Sequence, residues 1–339
     1  MRSARAGPAS TSRNRRPAPL LLAAGWLVVV PLAAAAAARL VAWDARAVLV
    51  GLNALTPVLY LPAWVVTAGA VVGRRWALAG AGATVVVAHL SFALPEVLAA
   101  EPLPAAARAA PAFRVFSGNV FAGNADAEAY AAEIRRHAPD LVLLQEATPP
   151  LLARLEAAGA FAGLPHRATV ARRDPFAAAV LSRWPLEDRD VLSVRERPVL
   201  VRATITPAPG RPVRVFAFHA VSPVGGGRDE WIADLRAVRD AVLAAVEAER
   251  RPVLLAGDFN ATWGHRHFRA ILDAGLTDAA VARGHPYRMT WPLGAGLVPP
   301  LLRIDHVLTT AGLAVTSIET GAGPGSDHRP LIADVAVLR

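Results

Sequence analysis

The chain has no cysteine, which removes disulfides, thiolate metal sites and a cysteine nucleophile together. Any metal must then sit on Asp, Glu, Asn or His, a donor set that suits hard cations such as Mg²⁺ or Mn²⁺. Lysine is absent too, so all 36 basic residues are arginine. A lysine-free chain rich in Arg and Ala has the composition of a GC-rich genome, and its formal charge of +9 is therefore a weak argument for nucleic-acid binding. Charge is scarce in the first third. Residues 1–104 hold nine Arg against Asp44, Glu96 and Glu101, while the rest of the chain holds 27 Arg against 24 acids. The soluble-looking part carries only +3 of the total. That is a poor footprint for a duplex, and the basic excess reads instead as a topology signal.

Residues 1–104 contain three apolar stretches, at about 19–39, 47–73 and 76–100. Each reaches the ~20 residues that a helix needs to cross a ~30 Å hydrocarbon layer. Pro31, Pro57 and Pro62 predict kinks in two of them, and Trp26, Trp43, Tyr60, Trp64 and Trp76 supply interface anchors. A competing reading makes the first stretch a cleaved leader, with a basic start (Arg2, Arg5, Arg13, Arg15, Arg16) and an alanine run at 33–38; the two later stretches still anchor the chain. The N-terminal arginines and Arg74–Arg75 place those segments in the cytoplasm. Three spans then leave everything after residue 100 outside, so the expected location is the cell membrane, multi-pass, with an extracytoplasmic catalytic domain. His89 reads as a hydrogen-bonding group within a small bundle, and Glu96 as a span-end group reaching the interface. Residues 101–112 are rich in Pro and Ala. Their last part, 105–112, is a linker too short to let the following domain, 113–339, leave the bilayer surface.

Beyond the linker, short apolar runs alternate with turns and helical patterns. Strands are expected at 113–120, 141–147, 177–182, 199–206, 213–220, 252–260, 303–310, 314–320 and 331–338. Helices are expected at about 125–137 and 228–249, the second with Trp231, Ile232, Leu235, Val238, Val242 and Val246 at helical spacing. Strands bunch in the middle, which disfavours a regular βαβ sheet and favours two packed mixed sheets with helices outside, an α/β sandwich.

Polar groups close these apolar strands. Asn119 ends the first, Glu146 ends LVLLQEA, and His219 ends VRVFAFHA. Asp258 and Asn260 end VLLAGDFN, Asp305 lies in RIDHVL, and Asp327–His328 occupy the turn GSDHRP before the last strand. A lone carboxylate at a strand end is most often a turn or capping residue. Here the whole set recurs at the ends of buried strands, where a sheet presents catalytic groups.

With LVLLQEA, FAFHAVSP, LLAGDFNAT, RIDHVL and GSDHRPL in this order, the chain resembles the endonuclease/exonuclease/phosphatase (DNase I-like) superfamily over about residues 113–339. The apolar front resembles a membrane-anchored bacterial branch. The resemblance implies a four-layer α/β sandwich preceded by a bundle of about three transmembrane helices. It also implies metal-assisted phosphoester hydrolysis with Mg²⁺ or Mn²⁺. Carried over by motif, Glu146 holds the metal, assisted by Asn119 and Asp327. Asp258 orients or deprotonates the attacking water, and Asn260 holds that water or a phosphate oxygen. His328 contacts the scissile phosphate, Asp305 fixes its ring, and His219 binds a phosphate oxygen. The expected activity is hydrolysis of a phosphodiester, in nucleic acid or in a phospholipid headgroup of the sphingomyelin type, or of a phosphomonoester. A reading of another class is a non-catalytic membrane sensor of phosphate ligands; against it, no expected position is lost. His306 reads as structural because it alternates to the opposite face from Asp305. His265 and His267 stand after the GDFNAT turn as substrate contacts or plain loop histidines, Arg183 and Arg228 are placed to pair with acidic groups or phosphates, and Gly294–Leu302 is an apolar loop beside the site that dips into lipid, covers the pocket or packs in the core.

Overall fold

The computed structural model describes residues 18–294 and 296–338; the N-terminal arginines before residue 18, Ala295 and Arg339 lie outside the described residues. Five helices come first: α1 (Ala18–Ala42), α2 (Ala47–Ala54), α3 (Thr56–Leu59), α4 (Leu61–Val72) and α5 (Trp76–Leu98). α1 and α5 are long and apolar enough to cross a membrane. Pro31 leaves α1 continuous. The second apolar stretch, by contrast, breaks at Leu55, just before Pro57, and its two parts are bent by 73°. α1, α4 and α5 pack on one another, and α2 turns across the end of that bundle.

The remaining chain folds into two six-stranded mixed sheets. The strands are β1 (Ala112–Asn119), β2 (Leu141–Gln145), β3 (His166–Val170), β4 (Ala178–Ser182), β5 (Glu187–Val194), β6 (Arg197–Ala208), β7 (Arg211–His219), β8 (Val253–Asp258), β9 (Leu276–Asp278), β10 (Asp305–Thr310), β11 (Leu313–Thr320) and β12 (Leu331–Val337). One sheet runs β11-β12-β1-β2-β4-β3 and the other β5-β6-β7-β8-β10-β9. Between them lies a core that includes Val115, Leu143, Val180, Val215, Leu254, Val307 and Val335. Helices α6 (Ala127–His137) and α7 (Pro149–Ala157) cover the first sheet; α8 (Arg228–Ala244) and α9 (Arg266–Leu272) cover the second, and the short α10 (Ala279–Ala282) follows β9. These are the four layers expected from the resemblance.

Three edge strands escape the sequence reading. β5 is almost wholly exposed, and its EDRDVLSV carries no buried run; β3 is half exposed and β9 spans three residues. The linker region is no free tether either. Residues 105–108 form a 3₁₀ turn whose Ala107 is buried against Ala314 and Ala336.

The helical region and the sandwich are locked together by buried polar contacts. Gly264 meets the end of α2 so closely that a Cβ on it would lie 1.9 Å from the Asn53 carbonyl oxygen. Asp44 accepts from the Arg266 N–H at 2.7 Å and from Asn53 Nδ2 at 2.9 Å, and Trp43 Nε1 donates to the Gly264 carbonyl at 2.8 Å. At a second point, Arg303 is 4% exposed and donates to Glu96 of α5 at 2.8 Å, to Asp278 at 2.6 Å and to the Pro286 carbonyl at 2.9 Å. Glu96 thus does not reach an interface with water, as its place near a span end suggested. It is buried as the partner of an arginine 207 residues away. Burial alone would raise the Asp278 carboxyl, but Arg303 and His306 hold it well below the usual carboxylate range.

Removing one member of a buried ion pair strands the other charge, at a cost of about 3–5 kcal/mol. Glu96→Ala is therefore expected to lower the unfolding free energy of the full chain in detergent by roughly 3 kcal/mol. Denaturant unfolding checks this, and a loss below about 0.5 kcal/mol would show that Glu96 is not buried as described.

Candidate active site

Strand register brings the polar strand ends together. β7 and β8 are parallel with His219 opposite Asp258, and β10 runs antiparallel to β8 with Asp305 opposite the same Asp258. In the other sheet, β1 and β2 are parallel with Asn119 opposite Gln145, one residue before Glu146. β12 is antiparallel to β1, so its start, just after His328, lies at the same edge. Both sheets therefore present the polar residues singled out in the sequence on one rim.

The side chains form one connected set. Asn119 Nδ2 donates to Glu146 Oε1 at 3.0 Å and to Asp258 Oδ2 at 3.1 Å, bridging the two sheets. The Ala122 N–H donates to Glu146 Oε2 at 3.0 Å. Asp258 Oδ1 accepts from the Asn260 N–H at 2.8 Å, and the Nε2 atoms of His219 and His328 each lie 3.7 Å from Asp258 Oδ2. His328 Nδ1 meets Asp305 Oδ2 at 2.9 Å. Asp327 stands at the rim with Oδ1 4.0 Å from His328 Nε2 and Oδ2 accepting from Trp291 Nε1 at 3.2 Å. All eight residues singled out in the sequence lie in this cluster.

Backbone conformation aims several of them. Glu146 has φ +58° and Asn260 φ +48°, both left-handed. That region costs a residue other than glycine on the order of 1–2 kcal/mol, least for Asn. At Glu146 the strained turn swings a carboxylate off the strand end and into the cluster. Gly257, with φ +145°, has no room for a side chain, because a Cβ would lie 1.9 Å from the Phe218 carbonyl oxygen.

Sequence reasoning missed four supporting groups. Ser326 Oγ donates to the Asn119 carbonyl at 2.7 Å and accepts from the His328 N–H at 3.0 Å, tying the GSDHRP turn to β1. Trp291 holds Asp327. Asp234 of α8 accepts the Val221 N–H at 3.0 Å and pairs with Arg197 through both oxygens, at 2.9 and 3.1 Å, fixing the loop after His219. Of these, only Ser326 sits within a motif. His306 is structural, as read: it is buried, with Nδ1 2.8 Å from Asp278 and Nε2 2.8 Å from the Ala261 carbonyl. His265 and Arg228 bind the helical region instead, through the Val50 and Asp44 carbonyls, while Arg183 pairs with Asp140.

The electrostatics separate two kinds of position. Burial lowers a histidine, but the Asp305 and Asp258 carboxylates outweigh it and push His328 up to about 10. Burial, partly offset by His328 and His219, pushes Asp258 up to about 6. Ligand atoms of Asp258, Asp305 and His328 lie within 4.8 Å of one another, the one such group of three among the described residues. A protonated His328 is a poor ligand, however, and both carboxylates already neutralise it. Glu146 and Asp327 are different. Among the described residues no arginine pairs with either, and the donors on them are neutral N–H groups. Glu146 is partly exposed, has no counter-charge and takes only neutral N–H donors, which suits a hard divalent cation, whereas Asp327 also faces His328 at 4.0 Å.

The raised His328 yields a signed expectation. Its contribution to stability is fully present below the unfolded value of about 6.5 and is lost as pH rises through about 10. Thermal unfolding temperature should fall between pH 7 and pH 10. Asp305→Asn should flatten that fall; an unchanged slope in the variant would mean that Asp305 does not carry the shift.

Comparison with known proteins bears on this geometry. The family model described as the endonuclease/exonuclease/phosphatase family matches residues 116–328. No curated protein matches the chain. Among solved structures, an endonuclease/exonuclease/phosphatase from Beutenbergia cavernae is 22% identical, with 67% of this chain and 72% of that one covered and a TM-score of 0.51. TDP2 from D. rerio, solved with a single-strand DNA product, is 18% identical, covers 67% and 99%, and has a TM-score of 0.57. Truncated Caenorhabditis elegans TDP2 is 18% identical, covers 67% and 98%, and has a TM-score of 0.56. At these identities the structures establish the fold. The family is divalent-metal dependent, and the match takes in every strand-end residue of the rim described above. The chain belongs to the endonuclease/exonuclease/phosphatase family and is a hydrolase of phosphate esters.

Proposed function

We propose that the protein is a membrane-anchored phosphodiesterase that uses Mg²⁺ or Mn²⁺, with its catalytic domain outside the cytoplasm. The observation that carries this reading is the continuous contact path Glu146–Asn119–Asp258–His328–Asp305 across the rim of both sheets. Glu146, with Asn119 and Asp327, would hold the cation, whose charge neutralises the phosphate when bound. Asp258 takes a proton from water, and its value near 6 suits a base working close to neutrality. The water oxygen bonds to phosphorus as the bond to the leaving oxygen breaks. Asn260 holds the water. His328, kept protonated and oriented by Asp305, donates to a non-bridging oxygen where negative charge grows, and His219 faces the same region.

Anchoring rests on the length and apolarity of α1 and α5, and on the bent α2–α4 stretch. Trp43, Asp44, Asn53 and Glu96 meet the sandwich, and Arg74–Arg75 form the turn between α4 and α5, at the far end of those helices. With that turn on the cytoplasmic side, the sandwich lies outside.

In detergent, the full chain with Mg²⁺ is expected to hydrolyse bis(p-nitrophenyl) phosphate and to lose that activity in EDTA. Glu146→Ala and Asp258→Ala should each reduce turnover by at least ~100-fold without loss of folded protein by circular dichroism. Near-normal turnover in either variant would remove the basis of the assignment. A tag at the C-terminus reached by an impermeant label only in broken cells would reverse the orientation.

A further inference from the structure

A cleft of about 750 Å³ opens between α2 and the loops that border the active site. That volume falls within the range of about 300–1,000 Å³ typical of small-molecule sites. One wall is Val50, Gly51 and Leu55, from α2 and the break that follows it; the facing wall is Val224, Trp291 and Leu302. No Asp, Glu or Arg lines it. Its one catalytic residue is Asn260, whose N–H donates to Asp258. The cleft thus begins at the reacting centre and ends against a helix of the apolar bundle.

The rim has the same character. Val224 and Leu301, which line the cleft, are 82% and 37% exposed, and Leu297 and Val298, shortly before Leu301 in the chain, are exposed as well. Isolated apolar residues on a surface need no explanation, but exposed apolar side chains that line an apolar cleft mark a lipid or partner surface. A nucleic-acid backbone needs cations along its track, and this cleft offers none.

We infer that the substrate is a lipid phosphoester drawn from the bilayer, its phosphate beside Asn260 and facing His328 and His219, and its hydrocarbon chain in the cleft between α2 and the segment holding Trp291 and Leu302. The inference rests on the phosphodiesterase reading and names the substrate class for that same site. The 73° bend gives the cleft its membrane-side wall: it turns α2 across the end of the bundle, beneath the active-site rim. A chain in the cleft then stays in apolar surroundings from the bilayer to the phosphate, and each buried methylene is favourable.

Gly51 makes the idea testable. Gly51 lines the cleft, and a Cβ built on it meets no atom within 4 Å, so the backbone there accepts a side chain beside the cleft. The full chain in nanodiscs with Mg²⁺ is assayed on two chromogenic diesters with the same leaving group, methyl p-nitrophenyl phosphate and dodecyl p-nitrophenyl phosphate. Both are kept below micelle-forming concentration. Wild type is expected to show a kcat/KM at least ~10-fold higher for the dodecyl ester. Gly51→Trp, and to a smaller degree Gly51→Leu, should remove that preference while leaving the methyl ester rate unchanged. Simple partitioning of the longer ester into the disc would leave the preference intact in the variants and would overturn the inference. So would equal rates on both esters in wild type, an equal loss on both esters in the Gly51 variants, or single-stranded DNA cleaved faster than either ester. Hydrolysis of neither ester, with or without Mg²⁺, would instead sink the phosphodiesterase reading itself.

Discussion

The pairing of β8 with its two neighbours sets the spacing on which the site depends. Parallel register with β7 puts His219 across from Asp258, and antiparallel register with β10 puts Asp305 across from that same residue. A slip of one residue on either side would turn the functional side chains to the opposite face. Asn119 then joins this group to the other sheet through its bonds to Glu146 and Asp258. The two sheets are held in mutual position by their shared apolar core, so a short bridging amide has a fixed gap to span.

Burial does chemical work here in opposite directions. Asp258 is nearly inaccessible and becomes a weaker acid, while His328, equally enclosed, stays charged because two carboxylates face it. Glu146 and Asp327 keep contact with solvent and have only neutral donors on them. In the proposed mechanism a cation would meet Glu146, free of competing charge, on the outer side, with the proton-handling groups on the inner side.

Much of this was legible in the sequence because the candidate site residues terminate buried strands, and buried strands announce themselves as apolar runs. LVLLQEA and VLLAGDFN could be read for both element and end group. β5 could not, since EDRDVLSV is an edge strand held by backbone pairing with β6 while its side chains face solvent. The break at Leu55 was foreshadowed by Pro57, yet Pro31 left α1 unbroken, so proline marked a weak point without fixing which one yields. The partnership of Glu96 with Arg303 was invisible, because nothing local to either residue encodes a contact across 207 positions. The supporting roles of Trp291 and Asp234 were hidden for the same reason.

The Arg303 crossroads also ties the last strands of the sandwich to the earliest helices of the chain. Glu96 belongs to a helix made early in synthesis, whereas Arg303 emerges near the end, on the segment leading into β10. Until the helices have assembled, the late-arriving guanidinium has lost one of its two carboxylates, and the face around His265 lacks the Val50 carbonyl. Severed from the first hundred residues, the catalytic half would keep Arg303 with Asp278 alone and leave His265 short of a carbonyl, so its base is completed by the helices and not by the sandwich itself.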